Sequence, residues 1–307
     1  MKILCVNVRK GIGDQVIFLP YMHAISKKFK KPITLLAKEN SKAKDLFYKD
    51  DFIKEIIILE KDMDGISGMF KLIKLLKEKK FDKIFIFNSS LRYFIIAKLA
   101  KIKSIHQYPL FLKKDNLVHS AKIFTQNITN EIVSTEPCLK VEKVNYELDK
   151  EIKHVCLGVS ASGPTKRWDI KNYIRLAEEL GKQKKCKFYL AGGKYDKDLI
   201  DEFKKSSIGK NALSFEKMRI KETMRYISNC DLYIGNDTGW AHISVALNVR
   251  ALTIFCDSPV AAYGSYSSKM YTIEPERIAK GETLMILLEK INISFQEVCD
   301  KSIKLLN

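Results

Sequence analysis

The feature that most narrows what this chain can fold into is an alternation of short apolar runs with longer amphipathic stretches, carried through once and then started again. In the first half, apolar runs stand at 3–8, 33–37, 55–59 and 83–87, and helix-period stretches at 15–28, 42–47, 68–79 and 92–100. From 113 to 153 the chain is polar and irregular, and reads as the end of a first domain with its linker. The alternation then resumes, with runs at 154–160, 187–191, 232–235 and 251–256. Helical stretches follow at 172–184, 196–205, 221–229 and 240–247, and closing helices at 281–290 and 294–306. Strands alternating with helices build parallel βαβ units with right-handed crossovers. A chain of 307 residues is long for one domain and comfortable for two of about 150. The expectation is therefore an α/β protein made of two Rossmann-like domains, 1–150 and 151–307, facing each other across a cleft. The last helix is a candidate to pack back on the N-terminal domain.

The net charge of +18 raises the question of a polyanionic partner. Only 8 of the 54 basic residues are Arg, and the Lys are scattered along the whole chain. Base readout and bidentate phosphate grip favour Arg, so a dedicated nucleic-acid binder is not expected. A solvated Lys-rich surface comes first, and weak contact with an anionic membrane second. Seven Cys, an odd number with no CxxC pair, read as buried free thiols of a cytoplasmic protein. The chain enters a strand directly after Met1-Lys2, so no signal peptide is expected. No apolar run nears the ~18 residues of a membrane span, so membrane contact would be peripheral.

Four strand-to-helix turns carry polar residues. The first is Lys10-Gly11-Ile12-Gly13-Asp14. A dinucleotide fingerprint would need a third Gly where Val16 stands, although Glu39 sits near the end of the next strand. Asp14 at a helix start faces the positive end of the helix dipole, which favours its anionic form; as a bare residue it reads as a cap before it reads as a base. The second turn, 158–168, brings Ser162, Lys166 and Arg167 among small residues that permit close approach to phosphate oxygens; a solvated basic loop is an equal reading. In the third, Gly192-Gly193-Lys194-Tyr195-Asp196, the Asp caps a helix or accepts a ribose hydroxyl. The fourth, 235–242, places Asp237, Thr238 and Gly239 at a helix N-terminus, with His242 one turn in. His242 alone reads as a satisfied, partly buried histidine; the combination points to an anion site. Asp62-Met63-Asp64 has the form of a D-x-D metal motif but no further ligands nearby, so a solvated loop is preferred and no metal is expected.

In this order, Gly13-Asp14 with Pro20, Ser162 through Trp168, Gly192-Gly193 and Asn236 through His242 resemble family 9 glycosyltransferases, the bacterial heptosyltransferases of lipopolysaccharide core synthesis. The resemblance spans nearly the whole chain. It implies a GT-B fold, inverting transfer without a metal or other cofactor, an ADP-heptose donor, and a lipopolysaccharide core or other lipid-linked or surface-glycan acceptor. It also implies a cytoplasmic enzyme peripheral at the inner membrane. By the same resemblance Asp14 is the catalytic base and Lys166 balances charge on the departing diphosphate. Asp237 binds the donor sugar, Thr238, Gly239 and His242 surround the diphosphate, and Ser162 lies on the phosphate loop. Met218 packs on adenine and Asp196 stands at a ribose-binding position usually held by Glu. Lys10 and Gly13 lie on the acceptor side, where Lys10-Gly11-Ile12 departs from the small hydroxyl residues often seen; Trp240 is bulkier than its usual counterpart. Two other readings stand beside this one: an NAD-dependent Rossmann oxidoreductase and a non-catalytic nucleotide-sugar binding protein.

Overall fold

The computed structural model describes residues 1–110, 117–142, 151–256, 260–275 and 293–307. The helix expected at 281–290 lies outside them. The chain divides into two compact units, Met1–Lys140 and Val141–Asn307.

In the first unit, β1 (Ile3–Val6), β2 (Ile33–Lys38), β3 (Ile53–Leu59), β4 (Lys83–Ile86) and β5 (Ser104–Gln107) form a parallel sheet in the order β3-β2-β1-β4-β5. The helices are α1 (Ile12–Phe29), α2 (Ala43–Leu46), α3 (Gly65–Lys79), α4 (Leu91–Leu99) and α5 (Leu117–Thr129). β1 is buried along its whole length, which is why it reads as an unbroken apolar run. α1 is apolar nearly all round because α5 covers the side that the sheet does not. The Tyr21 hydroxyl of α1 donates to Val118 O at 3.1 Å. The polar stretch expected to be irregular from 113 thus holds a structural helix. Its inner face is Leu117, Ala121, Thr125 and Thr129, and the two Thr hydroxyls bond back to carbonyls one turn earlier.

In the second unit, β6 (Lys153–Gly158), β7 (Cys186–Leu190), β8 (Leu213–Ser214), β9 (Leu232–Asn236), β10 (Arg250–Ile254) and β11 (Met270–Ile273) form a parallel sheet in the order β11-β10-β9-β6-β7-β8. Its helices are α6 (Ile170–Gln183), α7 (Lys197–Lys205), α8 (Ile220–Ile227), α9 (Gly239–Ala246), α10 (Val260–Tyr263) and α11 (Phe295–Leu306). Asp169 caps α6 by accepting the Lys171 N–H, and Ile170, Tyr173, Leu176, Ala177 and Leu180 form its buried stripe. Each such side chain contributes about 1.5–3 kcal/mol when fully buried. α11 lies on α6: Phe295 stacks on Trp168 with centroids 6.2 Å apart, and the Arg175 guanidinium sits 3.8 Å over the Phe295 ring. None of the seven cysteines is in a disulfide.

Both sheets have the doubly wound order, in which successive strands leave the first one in opposite directions. The reversal falls between β1 and β4 in the first unit and between β6 and β9 in the second. Ligands of such sheets bind outside the carboxyl ends of the strands at this point. At the second reversal Gly158 and Gly235 are register partners. A Cβ on Gly158 would stand 1.9 Å from the Tyr233 hydroxyl, and one on Gly235 2.6 Å from the Gly158 Cα. Only glycine lets these two strand ends approach so closely.

Candidate active site

All four polar turns leave the carboxyl ends of parallel strands. In the first unit, Asp14 is the third residue of α1, and its Oδ2 accepts the Gly11 N–H at 3.2 Å, so the carboxylate is turned back over the helix start. Neighbouring amides hold this turn. Asn7 Nδ2 donates to Asp14 O at 3.4 Å, Gln15 Nε2 to Asn7 O at 2.9 Å, and the Val8 N–H to Asn88 Oδ1 at 3.0 Å. Lys10 is exposed and Gly13 buried. The Arg9 guanidinium lies 4.8 Å over the Phe18 ring. Val16, at the place of a third fingerprint glycine, is fully buried.

In the second unit, Asn236, the last residue of β9, holds the loop after β6. Its Oδ1 accepts the Trp168 N–H at 2.9 Å, and its Nδ2 lies 3.3, 3.4 and 3.1 Å from the carbonyls of Gly158, Val159 and Ser160. The Tyr173 hydroxyl adds a bond to Gly158 O at 3.1 Å. Both ends of the loop are pinned, which leaves Ser162 exposed and Lys166 half-buried in a short 3-10 turn between them. Asn236 and Trp168 belong to the motifs that carry the family resemblance but were given no role of their own; a polar residue ending a wholly apolar strand is the signal that marks Asn236.

The third turn is tied to the second. Asp196 Oδ2 accepts the Gly193 N–H at 2.9 Å, while its Oδ1 lies 3.5 Å from Arg167 Nη2. Asp196 is buried, and both its oxygens face protein groups, the geometry of a cap and an ion pair.

In the fourth turn, Thr238 is the N-cap residue of α9 with extended backbone, and its hydroxyl makes no cap bond. The first N–H groups of α9, at Gly239 and Trp240, form the positive end of a helix at the sheet edge. His242 is buried and both its nitrogens are directed at protein: Nδ1 is 2.7 Å from the Tyr266 hydroxyl and Nε2 3.6 Å from Asp237 Oδ1. The imidazole is therefore held by the Tyr266 hydroxyl with Asp237 beside it. Met218 sits half-buried in the turn after β8, its N–H bonded to Phe215 O at 2.9 Å, and the Phe215 ring meets Trp240 at 6.0 Å. Met218 and Trp240 are each partly exposed, whereas Phe215 is buried. Among the described residues no three His, Cys, Asp or Glu gather as a metal site. Asp62 pairs with Lys71 at 2.8 Å and Asp64 with Lys38 at 3.9 Å.

Two doubly wound domains, with a basic loop and a helix N-terminus converging at the switch point of the second, define a nucleotide-binding α/β protein of the GT-B fold class. The sequence profile of glycosyltransferase family 9 (heptosyltransferase) matches residues 69–283, more than half of the chain, and the protein belongs to that family. It is a glycosyltransferase, which sets the oxidoreductase reading aside. Lipooligosaccharide heptosyltransferase 2 of Campylobacter jejuni is 27% identical over 269 residues, 83% of this chain and 81% of that protein. Among solved structures, Escherichia coli ADP-heptose lps heptosyltransferase II superposes with a TM-score of 0.76 at 20% identity, covering 100% of this chain and 98% of that one. Escherichia coli heptosyltransferase WaaC with ADP gives 0.72 at 12% identity, with 100% of both chains covered. The matched profile segment contains Ser162, Lys166, Asp196, Met218, Asp237, Thr238, Gly239 and His242; Lys10, Gly13 and Asp14 precede it.

Proposed function

We propose that this glycosyltransferase moves heptose from ADP-heptose to a lipid-linked acceptor of the lipopolysaccharide core type, with inversion and without a metal. The observation that carries the reading is the loop of Lys166 and Arg167, pinned by Asn236 beside the N-terminus of α9. Cations and oriented N–H groups at one sheet edge suit a nucleoside diphosphate, and the names of the curated and structural relatives supply heptose and ADP. Met218, half-buried in the turn after β8, offers the apolar side chain on which a base packs.

In the proposed reaction Asp14 takes the proton of an acceptor hydroxyl as that oxygen attacks the anomeric carbon. The bond from that carbon to the diphosphate breaks in the same displacement. Lys166 and the α9 N–H groups balance the charge that gathers on the departing ADP. Asp237, with His242 3.6 Å away, orients the donor sugar. The net charge of +18 favours weak, salt-sensitive attraction to an anionic membrane on the cytoplasmic side.

The test is calorimetry of ADP, UDP and GDP binding in EDTA, with the wild type and Lys166→Ala. The reading expects selective ADP binding that weakens by about tenfold or more in the variant. Tighter UDP or GDP binding refutes ADP-heptose, and binding abolished by EDTA refutes metal independence.

A further inference from the structure

Ten large hydrophobic side chains are exposed among the described residues, and five of them lie on two helices: Ile66 and Phe70 on α3, and Leu91, Ile95 and Leu99 on α4. The spacing is i, i+4 on α3 and i, i+4, i+8 on α4, so each set forms a stripe along one face. These stripes are not the faces that hold the helices to the sheet. Leu72, Ile73 and Leu76 of α3, with Tyr93, Ile96 and Ala97 of α4, already serve the first unit's core. The two helices pack on each other, and Arg92 ties their starts together by donating to Met63 O and Gly65 O, each at 2.7 Å. A surface helix of a soluble domain needs one apolar stripe; a second, outward stripe on two adjoining helices marks a docking surface.

The charge around these stripes indicates what docks there. Residues 60–80 carry six Lys against Glu60, Asp62, Asp64 and Glu78, and residues 91–103 carry Arg92 and three Lys with no acid; Asp62 pairs with Lys71 and Asp64 with Lys38, which leaves the faces net basic. Lys71, Lys74, Lys77, Lys98, Lys101 and Lys103 are all exposed. A second copy of the chain on this face would set lysines against lysines, which disfavours self-association. Apolar side chains ringed by lysines suit the interface of an anionic bilayer, where the former enter the acyl boundary and the latter meet the headgroups.

Place in the fold supplies a reason for the surface. Crossover helices run antiparallel to the strands they connect, so α3 and α4 begin at the carboxyl edge of the first sheet. Ile66 and Leu91 belong to those first turns, Phe70 follows one turn after Ile66, and the Asp14 turn leaves the same edge. We propose that the outer face of α3 and α4 docks on an anionic lipid surface, holding the edge that carries Asp14 against the membrane in which a lipid-linked acceptor resides. The purpose rests on the acceptor proposed above; the binding itself does not.

The test is flotation of the full chain with vesicles of phosphatidylglycerol and phosphatidylethanolamine, and with phosphatidylcholine vesicles, at low and high salt. Two double variants accompany the wild type, Phe70→Ser/Ile95→Ser and Lys74→Glu/Lys98→Glu, with circular dichroism and ADP calorimetry on the same preparations. The wild type is expected to float with the anionic vesicles and to be partly released by salt. Each double variant should lower the partition coefficient by about tenfold or more with ADP affinity unchanged. Wild type that ignores anionic vesicles, or apolar variants that float undiminished, would overturn the proposal. So would sedimentation showing a wild-type dimer that the apolar variants dissolve. A protein that floats but does not bind ADP would remove the donor reading and leave the docking face standing.

Discussion

Asn236, quoted in the sequence motif without a role, holds the loop after β6. One side chain satisfies a buried N–H and reaches three carbonyls, and through them sets where Ser162 and Lys166 stand. Asn236→Ala would leave the Trp168 N–H unpaired, at a cost of about 1–3 kcal/mol. The expected outcome is a lower denaturation midpoint together with ADP affinity reduced by about tenfold; an unchanged affinity would deny the loop its role in donor binding. Asp196 and His242 teach a related lesson. Their places at strand ends were legible, but their partners, Arg167 and Tyr266, come from elsewhere in the sequence and no local pattern announces them. His154 offers a pH test. It is buried with Nδ1 2.7 Å from the Tyr189 hydroxyl. Burial lowers its pKa below the ordinary 6.5; Asp231 opposes the shift and Lys187 adds to it. The unfolded chain therefore takes up this proton first as the pH falls. Stability from this group is lost as pH drops from 6.5 toward the folded value, and is retained above 6.5. Thermal melts at pH 7 and pH 5 should show a fall of about 2 °C or more that is smaller in His154→Gln; equal falls in the two proteins would contradict this assignment.

At the scale of elements, the buried strands were plain because burial on both faces leaves uninterrupted apolar runs, as in β1 and β6. β5 was missed because its residues Ser104–Gln107 are only half-buried and three of the four are polar, and β8 because it has only two residues. α5 was hidden by the two Thr on its inner face, which sequence reading takes for loop formers. Helix ends, read at 28, 79 and 100 and found at Phe29, Lys79 and Leu99, were legible from periodicity although no glycine marks them. α1, α3 and α4 are followed by Lys30, Lys80 and Lys101 in the left-handed region, where glycine is the usual signal. Lys80, with φ 54° and its N–H bonded to Leu76 O, caps α3 in this way. Lys80→Gly relieves the crowding of its Cβ and should stabilise the protein by about 1 kcal/mol in chemical denaturation; a loss of stability would mean that the lysine side chain contributes more than the backbone gains.

At the scale of the molecule, the chain is two doubly wound units with separate cores, and the chemistry proposed for it divides along the same line. The groups assigned to the nucleotide sugar all belong to the second unit, and the assigned base to the first. That division was legible because the strand–helix alternation restarts, and because three of the four polar turns follow the restart. The base is the boldest assignment, since Asp14 precedes the segment matched by the family profile. The most direct test compares wild type and Asp14→Asn for both transfer from ADP-heptose to a lipid-linked core acceptor and calorimetric ADP affinity. The account predicts that turnover falls by about 100-fold or more while ADP affinity stays within about threefold. Turnover retained in Asp14→Asn, or lost only in step with ADP affinity, would contradict it.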